Sequence, residues 1–183
     1  GYAPRHIRSR QSANVVGDKR VEQVLLVGRT LGVLGDGLPS GRYFYLDLPV
    51  ARPGDVRWLK LMDLDGDRRA EMIVRYVERA ANGRRELVAI YRFDSSDQPT
   101  RPFAHEVVKA QAGRVLENRV TFKPRRIKRR RGYDLVFDQP TTRGFTAENY
   151  RDQQASDAYP ALVPWGEVKQ RAFRFDGDEF SEL

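Results

Sequence analysis

Asp63, Asp65 and Asp67 stand at alternate positions in LMDLDGDRRAEMIVRY (Leu61–Tyr76), with Gly66 among them and Glu71 further on. Such spacing suits a hard cation. Calcium takes about six to eight oxygen ligands from a flexible loop. With Asp63 at position one, side-chain oxygens fall at positions three (Asp65) and five (Asp67). Arg69 at position seven offers a backbone carbonyl, and Glu71 at position nine a further carboxylate. An EF-hand turns on glycine at position six and closes on an acid at position twelve. Here those places hold Arg68 and Val74, and the flanks read as strands rather than helices. The segment is therefore a short interstrand loop, with Ca2+ as its candidate structural ion. The alternative is metal-free: the carboxylates cap backbone N–H groups and pair with Arg68 or Arg69.

A second chemistry lies in KPRRIKRRRGYD. Arg125, Arg126, Lys128, Arg129, Arg130 and Arg131 are interrupted only by Ile127. In an extended strand, Arg126, Lys128 and Arg130 would share one face, a strip suited to phosphate or sulfate. The net charge of +8, from 33 Lys+Arg against 25 Asp+Glu, agrees with a polyanionic partner such as nucleic acid, anionic polysaccharide or lipid headgroups. The competing reading is a solvated edge whose charges block edge-to-edge strand pairing.

Other chemistries are excluded or unsupported. Without cysteine there is no disulfide, thiolate zinc site or cysteine nucleophile. That fits either the cytosol or a cysteine-poor exported protein. His6 and His105 are the only histidines, so a multi-histidine metal site within the chain is impossible. The sequence has no G-x-S-x-G, P-loop or G-x-G-x-x-G pattern. Trp58 and Trp165 read as packing residues, though a Tyr/Trp-lined face is also the kind of surface that binds carbohydrate. No run approaches the roughly 18 apolar residues of a membrane span.

The elements that must position these residues are strands. RYFYLDL (Arg42–Leu48), EMIVRYV (Glu71–Val77) and ELVAIYRFD (Glu86–Asp94) are rich in β-branched and aromatic residues. Asn82-Gly83 signals a type I′ hairpin turn, which pairs Glu71–Arg79 antiparallel with Arg85–Phe93. Asp176-Gly177 marks a second hairpin, and a short helix is expected near TAENYRDQQ.

The segments also repeat. GDKRVEQVLLV (Gly17–Val27) aligns with GDRRAEMIVRY (Gly66–Tyr76), their glutamates 71 − 22 = 49 residues apart. RRRGYDLVFDQ (Arg129–Gln139) is a weaker third copy, with Asp134 in the glutamate's place. Each copy is followed by an aromatic strand. A period of ~40–50 residues with several strands per unit suggests propeller-like blades. The expectation is one all-β repeat domain over residues 1–183, with units at roughly 12–50, 51–100 and 115–183 and an insertion at roughly 143–168. Three units are fewer than the ~4–8 blades of an ordinary ring, which points to an incomplete or open propeller. The first copy offers a weaker second metal set, Asn14, Asp18 and Glu22, with Val16 where a ligand belongs. The third has Arg126, Lys128 and Arg130 at the ligand places, which cannot hold a cation.

DLDGDRRAE followed by an apolar strand resembles the calcium loop of the FG-GAP and VCBS repeats of integrin-like β-propellers, D-x-D-G-D-G-x-x-D. Arg68 replaces the second glycine and Glu71 the last aspartate. Arginine at that glycine either avoids positive φ or is strained. The resemblance is specific over about a dozen residues and weak over the rest. It implies a non-enzymatic, calcium-stabilised binding or scaffolding module, exported and surface-associated, with a protein or carbohydrate partner. The alternatives are a basic β module that binds a polyanion, and a non-catalytic domain of a larger enzyme.

Overall fold

A computed structural model of the chain describes residues 7–38, 43–93, 98–127, 129–151 and 157–183. It is all-β. The strands are Ile7–Ala13 (β1), Glu22–Val27 (β2), Thr30–Leu34 (β3), Tyr43–Asp47 (β4), Val56–Met62 (β5), Glu71–Ala80 (β6), Gly83–Phe93 (β7), Pro99–Gln111 (β8), Arg114–Ile127 (β9), Arg130–Arg143 (β10), Gln170–Phe175 (β11) and Phe180–Glu182 (β12). A 3-10 turn, Pro53–Asp55, precedes β5. All strand pairings in the sheets are antiparallel neighbours in sequence, giving a four-stranded sheet β1-β2-β3-β4 and an eight-stranded sheet from β5 to β12. β8 and β9 pair over Val108–Gln111 and Arg114–Glu117, so the strands of the second and third expected units share one eight-stranded sheet.

The join is a tight turn. Ala112 and Gly113 both have positive φ, +49° and +77°. That is the backbone of a type I′ hairpin, whose twist matches its strands. The β6 and β7 strands pair antiparallel as expected, with Glu78 opposite Arg85 and Met72 opposite Tyr91. Their turn, however, is Ala81-Asn82, and neither residue nor Gly83 has positive φ. Gly83 is needed for a different reason: a Cβ there would lie 2.4 Å from the Ala110 carbonyl oxygen of β8.

β6 and β7 are buried on both faces, so their sequences run apolar instead of alternating. Met72, Val74, Tyr76, Leu87, Ala89 and Tyr91 pack with Val24, Leu26, Leu31 and Val33 of the four-stranded sheet. On the opposite face, Ile73, Val88 and Ile90 pack with Phe103, Leu135, Phe137, Phe173 and Phe175. The β6–β7 hairpin thus lies between β2–β3 on one side and β10–β11 on the other.

The insertion after β10 runs along β8. Tyr159 makes a parallel bridge with His105, and its backbone exchanges hydrogen bonds of 2.9 Å with Ala104 and Glu106. Asn118 holds Leu162 at both backbone groups. This covers an edge of β8 that β9 leaves unpaired. Where a helix was expected, residues 147–149 form a turn, residues 152–154 of that segment lie outside the described residues, and no α-helix occurs among the described ones. Among them, no helix is long and apolar enough to cross a membrane.

Candidate metal centre

Residues 63–70 link β5 to β6, and short polar side chains shape the loop from within. Asp63 accepts from the Gly66 and Arg68 amides at 2.6 and 2.9 Å. Asp65 Oδ1 accepts from the Asp67 amide at 3.0 Å, and Asp67 Oδ1 from the Arg69 amide at 2.6 Å. These aspartate turns fold the chain so that one oxygen from each of Asp63, Asp65 and Asp67 lies within 4.8 Å of the others.

Glu71, the first residue of β6, is fully buried beneath them. Its Oε2 accepts from the Leu64 amide at 2.9 Å, closing the loop. Its Oε1 has no hydrogen-bond partner. Burial, reinforced by repulsion from Asp65, Asp67 and Asp63, pushes the Glu71 carboxyl up to about 8. Asp65 is pushed up to about 6, again chiefly by burial, with Asp67 and Asp63 adding repulsion. Two buried carboxylates with raised proton affinity, set against two further aspartates, form a site that favours a proton or a cation.

The loop keeps a glycine-like backbone where glycine is absent. Arg68 has φ +79°, so this residue is strained rather than relieved, at a cost of about 1 kcal/mol. Lys19, at the same place in the first copy, has φ +74°. Gly17 and Gly66 are likewise equivalent, at +96° and +79°. The first loop also repeats the closure: Glu22, fully buried, accepts from the Val15 and Val16 amides through Oε2 and leaves Oε1 unpartnered.

The weaker set divides. Asp18 Oδ2 and Glu22 Oε1 converge on Gly37, whose added Cβ would lie 2.8 and 2.9 Å from them. Asp18, however, is bound to Arg20. Asn14 ties the two loops together instead: its carbonyl accepts from the Ala70 amide at 2.7 Å, and its Nδ2 donates to the Arg68 carbonyl at 3.2 Å. At the third copy β9 turns directly into β10. Asp134 there takes Arg125 at 3.0 Å and Arg174 at 2.9 Å.

Sequence reasoning missed Arg92. Counter-charge was expected from Arg68 or Arg69. Arg69 Nε does lie 3.6 Å from Asp67 Oδ2, and Arg69 Nη1 donates to the Phe93 carbonyl. Yet the guanidinium nearest to Asp65, Asp67 and Glu71 together is that of Arg92 on β7, 3.6, 3.4 and 3.9 Å away. The one available signal was register, since Glu71 and Arg92 both extend the Met72–Tyr91 pair by one residue.

The basic run forms a hairpin tip rather than a strip. Ile127 ends β9 and Arg130 begins β10, with Arg131 opposite Arg126 and Arg130 opposite Ile127. The turn places Arg126 and Arg130 on opposite faces, because successive strand residues alternate. Arg130 donates to the Gly66 carbonyl at 2.8 Å, and Arg125 turns inward to the Phe175 carbonyl. Arg126, Arg129 and Arg131 are exposed. Lys128 lies outside the described residues.

His105 is fully buried and stacked on Phe137, their ring centroids 3.8 Å apart. Burial pushes it down to about 3, so it packs as a neutral ring. Trp165 meets Tyr150 edge-on, and Lys60 lies over the Trp58 ring. No protein-family model, curated protein or solved structure matches the chain.

Proposed function

We propose that this chain is a non-enzymatic, calcium-stabilised binding or scaffolding module of FG-GAP/VCBS type, exported and surface-associated. The observation that carries the reading is Glu71: a buried carboxylate whose Oε1 takes no hydrogen bond, beneath three clustered aspartates. Calcium would satisfy that oxygen and neutralise the cluster at once. Asp63, Asp65, Asp67, the Arg69 carbonyl and Glu71 would be its ligands. The positive-φ positions repeated in two loops support descent from one glycine-rich loop pattern. We read the strand groups β1–β4, β5–β8 and β9–β12 as three degenerate blades, the first two carrying the loop between first and second strands and the third reducing it to a tight turn. The ion's role is then structural, and the partner, protein or carbohydrate, binds on another surface.

Thermal unfolding in calcium and in EDTA tests this. A dissociation constant of about 0.5 mM, in the extracellular class, gives about 1.4 kcal/mol at 5 mM calcium, or about 3–6 °C in Tm. Asp65→Ala should abolish the rise. No response to calcium in the parent protein would sink the metal assignment.

The hairpin tip supports a second reading, a polyanion contact. Arg126 and Arg131 face each other across the strands, and neither they nor Arg129 has a hydrogen-bond or ion-pair partner among the described residues. Like charges directly opposite are unfavourable until an anion bridges them. Heparin binding that does not weaken with salt would remove this reading.

A further inference from the structure

Three carboxylates of the second loop each keep one oxygen that the backbone does not use, while both Asp63 oxygens accept amides and keep a lone pair for an ion. Asp65 Oδ1, Asp67 Oδ1 and Glu71 Oε2 each accept from an amide within the loop. Their other oxygens, Asp65 Oδ2, Asp67 Oδ2 and Glu71 Oε1, all face Arg92, and Asp67 Oδ2 is also approached by Arg69 Nε at 3.6 Å. Arg92 is itself more than nine-tenths buried. Its Nη1 sits 3.6 Å from Asp65 and 3.9 Å from Glu71 without a hydrogen bond to either. Only the 3.4 Å approach of Nη2 to Asp67 is within bonding reach. The guanidinium is held centrally by charge rather than by a fork of short bonds. Beyond the loop, its Cζ lies 4.7 Å over the Phe175 ring of β11, a cation–π contact that fixes it in place.

The first loop provides an internal contrast. Gln23 pairs with Leu34 as Met72 pairs with Tyr91, so Gly35 stands opposite Glu22 where Arg92 stands opposite Glu71. A side chain at Gly35 would meet Glu22 Cγ at 2.8 Å. The guanidinium is thus particular to the loop that carries the full acidic set.

We infer that Arg92 is the resident cation of the 63–71 loop and competes with a metal ion for the same three oxygens. The inference rests on the calcium reading above and adds what sets the affinity. An ion bound to Asp65, Asp67 and Glu71 would crowd a like charge with little water between them. Binding therefore requires the guanidinium to leave the carboxylates. Arg92 keeps the loop neutralised when calcium is scarce and holds calcium affinity low.

Calorimetric titration of calcium chloride into EDTA-stripped protein tests this, comparing the parent chain with Arg92→Gln. Arg92→Met, which keeps an apolar stem on Phe175, serves if the glutamine variant does not fold. Removing the competing charge should tighten calcium binding by about tenfold or more. Alongside, a metal-free urea cycle combines Arg92→Gln with Asp65→Asn. Loss of Arg92 should cost less stability when Asp65 is already neutral. Tighter binding by the variant together with that coupling supports the inference. Equal calcium affinity in both proteins overturns it while leaving the calcium reading intact. Binding by the variant alone defeats the calcium reading for the native chain and retains the competition. No binding by either overturns both, and absence of coupling in the cycle removes Arg92 as the counter-charge.

Discussion

Glu71→Gln should change how stability depends on pH, and the sign follows from the loop. Burial raises the Glu71 carboxyl from 4.5 in the unfolded chain to about 8 in the folded one. Between those values the native state binds more protons than the unfolded state. Stability therefore falls as pH rises through the window, the reverse of the usual carboxylate. His105 opposes this at lower pH, because burial moves it from 6.5 down to about 3 and favours the folded state as pH climbs. The range from pH 6.5 to 8.5 separates the two. With Glu71 near 8, metal-free protein should lose about 2 kcal/mol across that range. Arg92, 3.9 Å from Oε1, favours the charged form. Urea unfolding followed by circular dichroism, in EDTA at several pH values, measures it. Glu71→Gln should be nearly flat over the same range and more stable than the parent at pH 8.5. Millimolar calcium should flatten the parent's decline by holding the carboxylate charged. A parent protein whose stability is constant or rising from pH 6.5 to 8.5, or a variant with the parent's slope, would refute the reasoning.

Other substitutions probe the frame around the loop. Gly132→Ala should destabilise by about 2 kcal/mol in urea, because a Cβ there would lie 2.5 Å from the Leu64 carbonyl oxygen at the loop's head. Arg79→Ala leaves Asp55, which is 2% exposed and hydrogen-bonded to Arg79 through both carboxylate oxygens, without its cation. The cost should be about 2 kcal/mol, read as a lower urea midpoint, and Asp55→Asn in that background should recover part of it. Neutralising Arg126, Arg129 and Arg131 together should leave the unfolding midpoint nearly unchanged. It should abolish any heparin retention of the parent at low salt, and retention equal to the parent's would show that the tip is not the contact.

Much of the frame was legible because it is written in local patterns. The apolar runs of β6 and β7, the aromatic β4 and the aspartate turns each carry their own signal within a few residues. The aligned Gly17 and Gly66 marked the two loops as equivalent, but the glycine-like φ of Lys19 and Arg68 was not legible, since a side chain at that place can either avoid positive φ or accept the strain. What escaped depends on distant pairing. Arg92 looks like one more residue in a core strand until the β6–β7 register sets it against Glu71. The Ala112-Gly113 turn was hidden because alanine rarely takes positive φ. Missing it concealed the short β8–β9 pairing that merges two groups of strands into one sheet. The basic run misled for a similar reason: alternation was counted through residues that turn a corner.

A crystal structure grown in 10 mM calcium tests the central claim most directly. The account requires an ion between Asp63, Asp65, Asp67, the Arg69 carbonyl and Glu71, at about 2.3–2.6 Å from its oxygens, with Arg92 withdrawn from the carboxylates. A loop without an ion, with the Arg92 guanidinium still lodged between Asp65, Asp67 and Glu71, would contradict it.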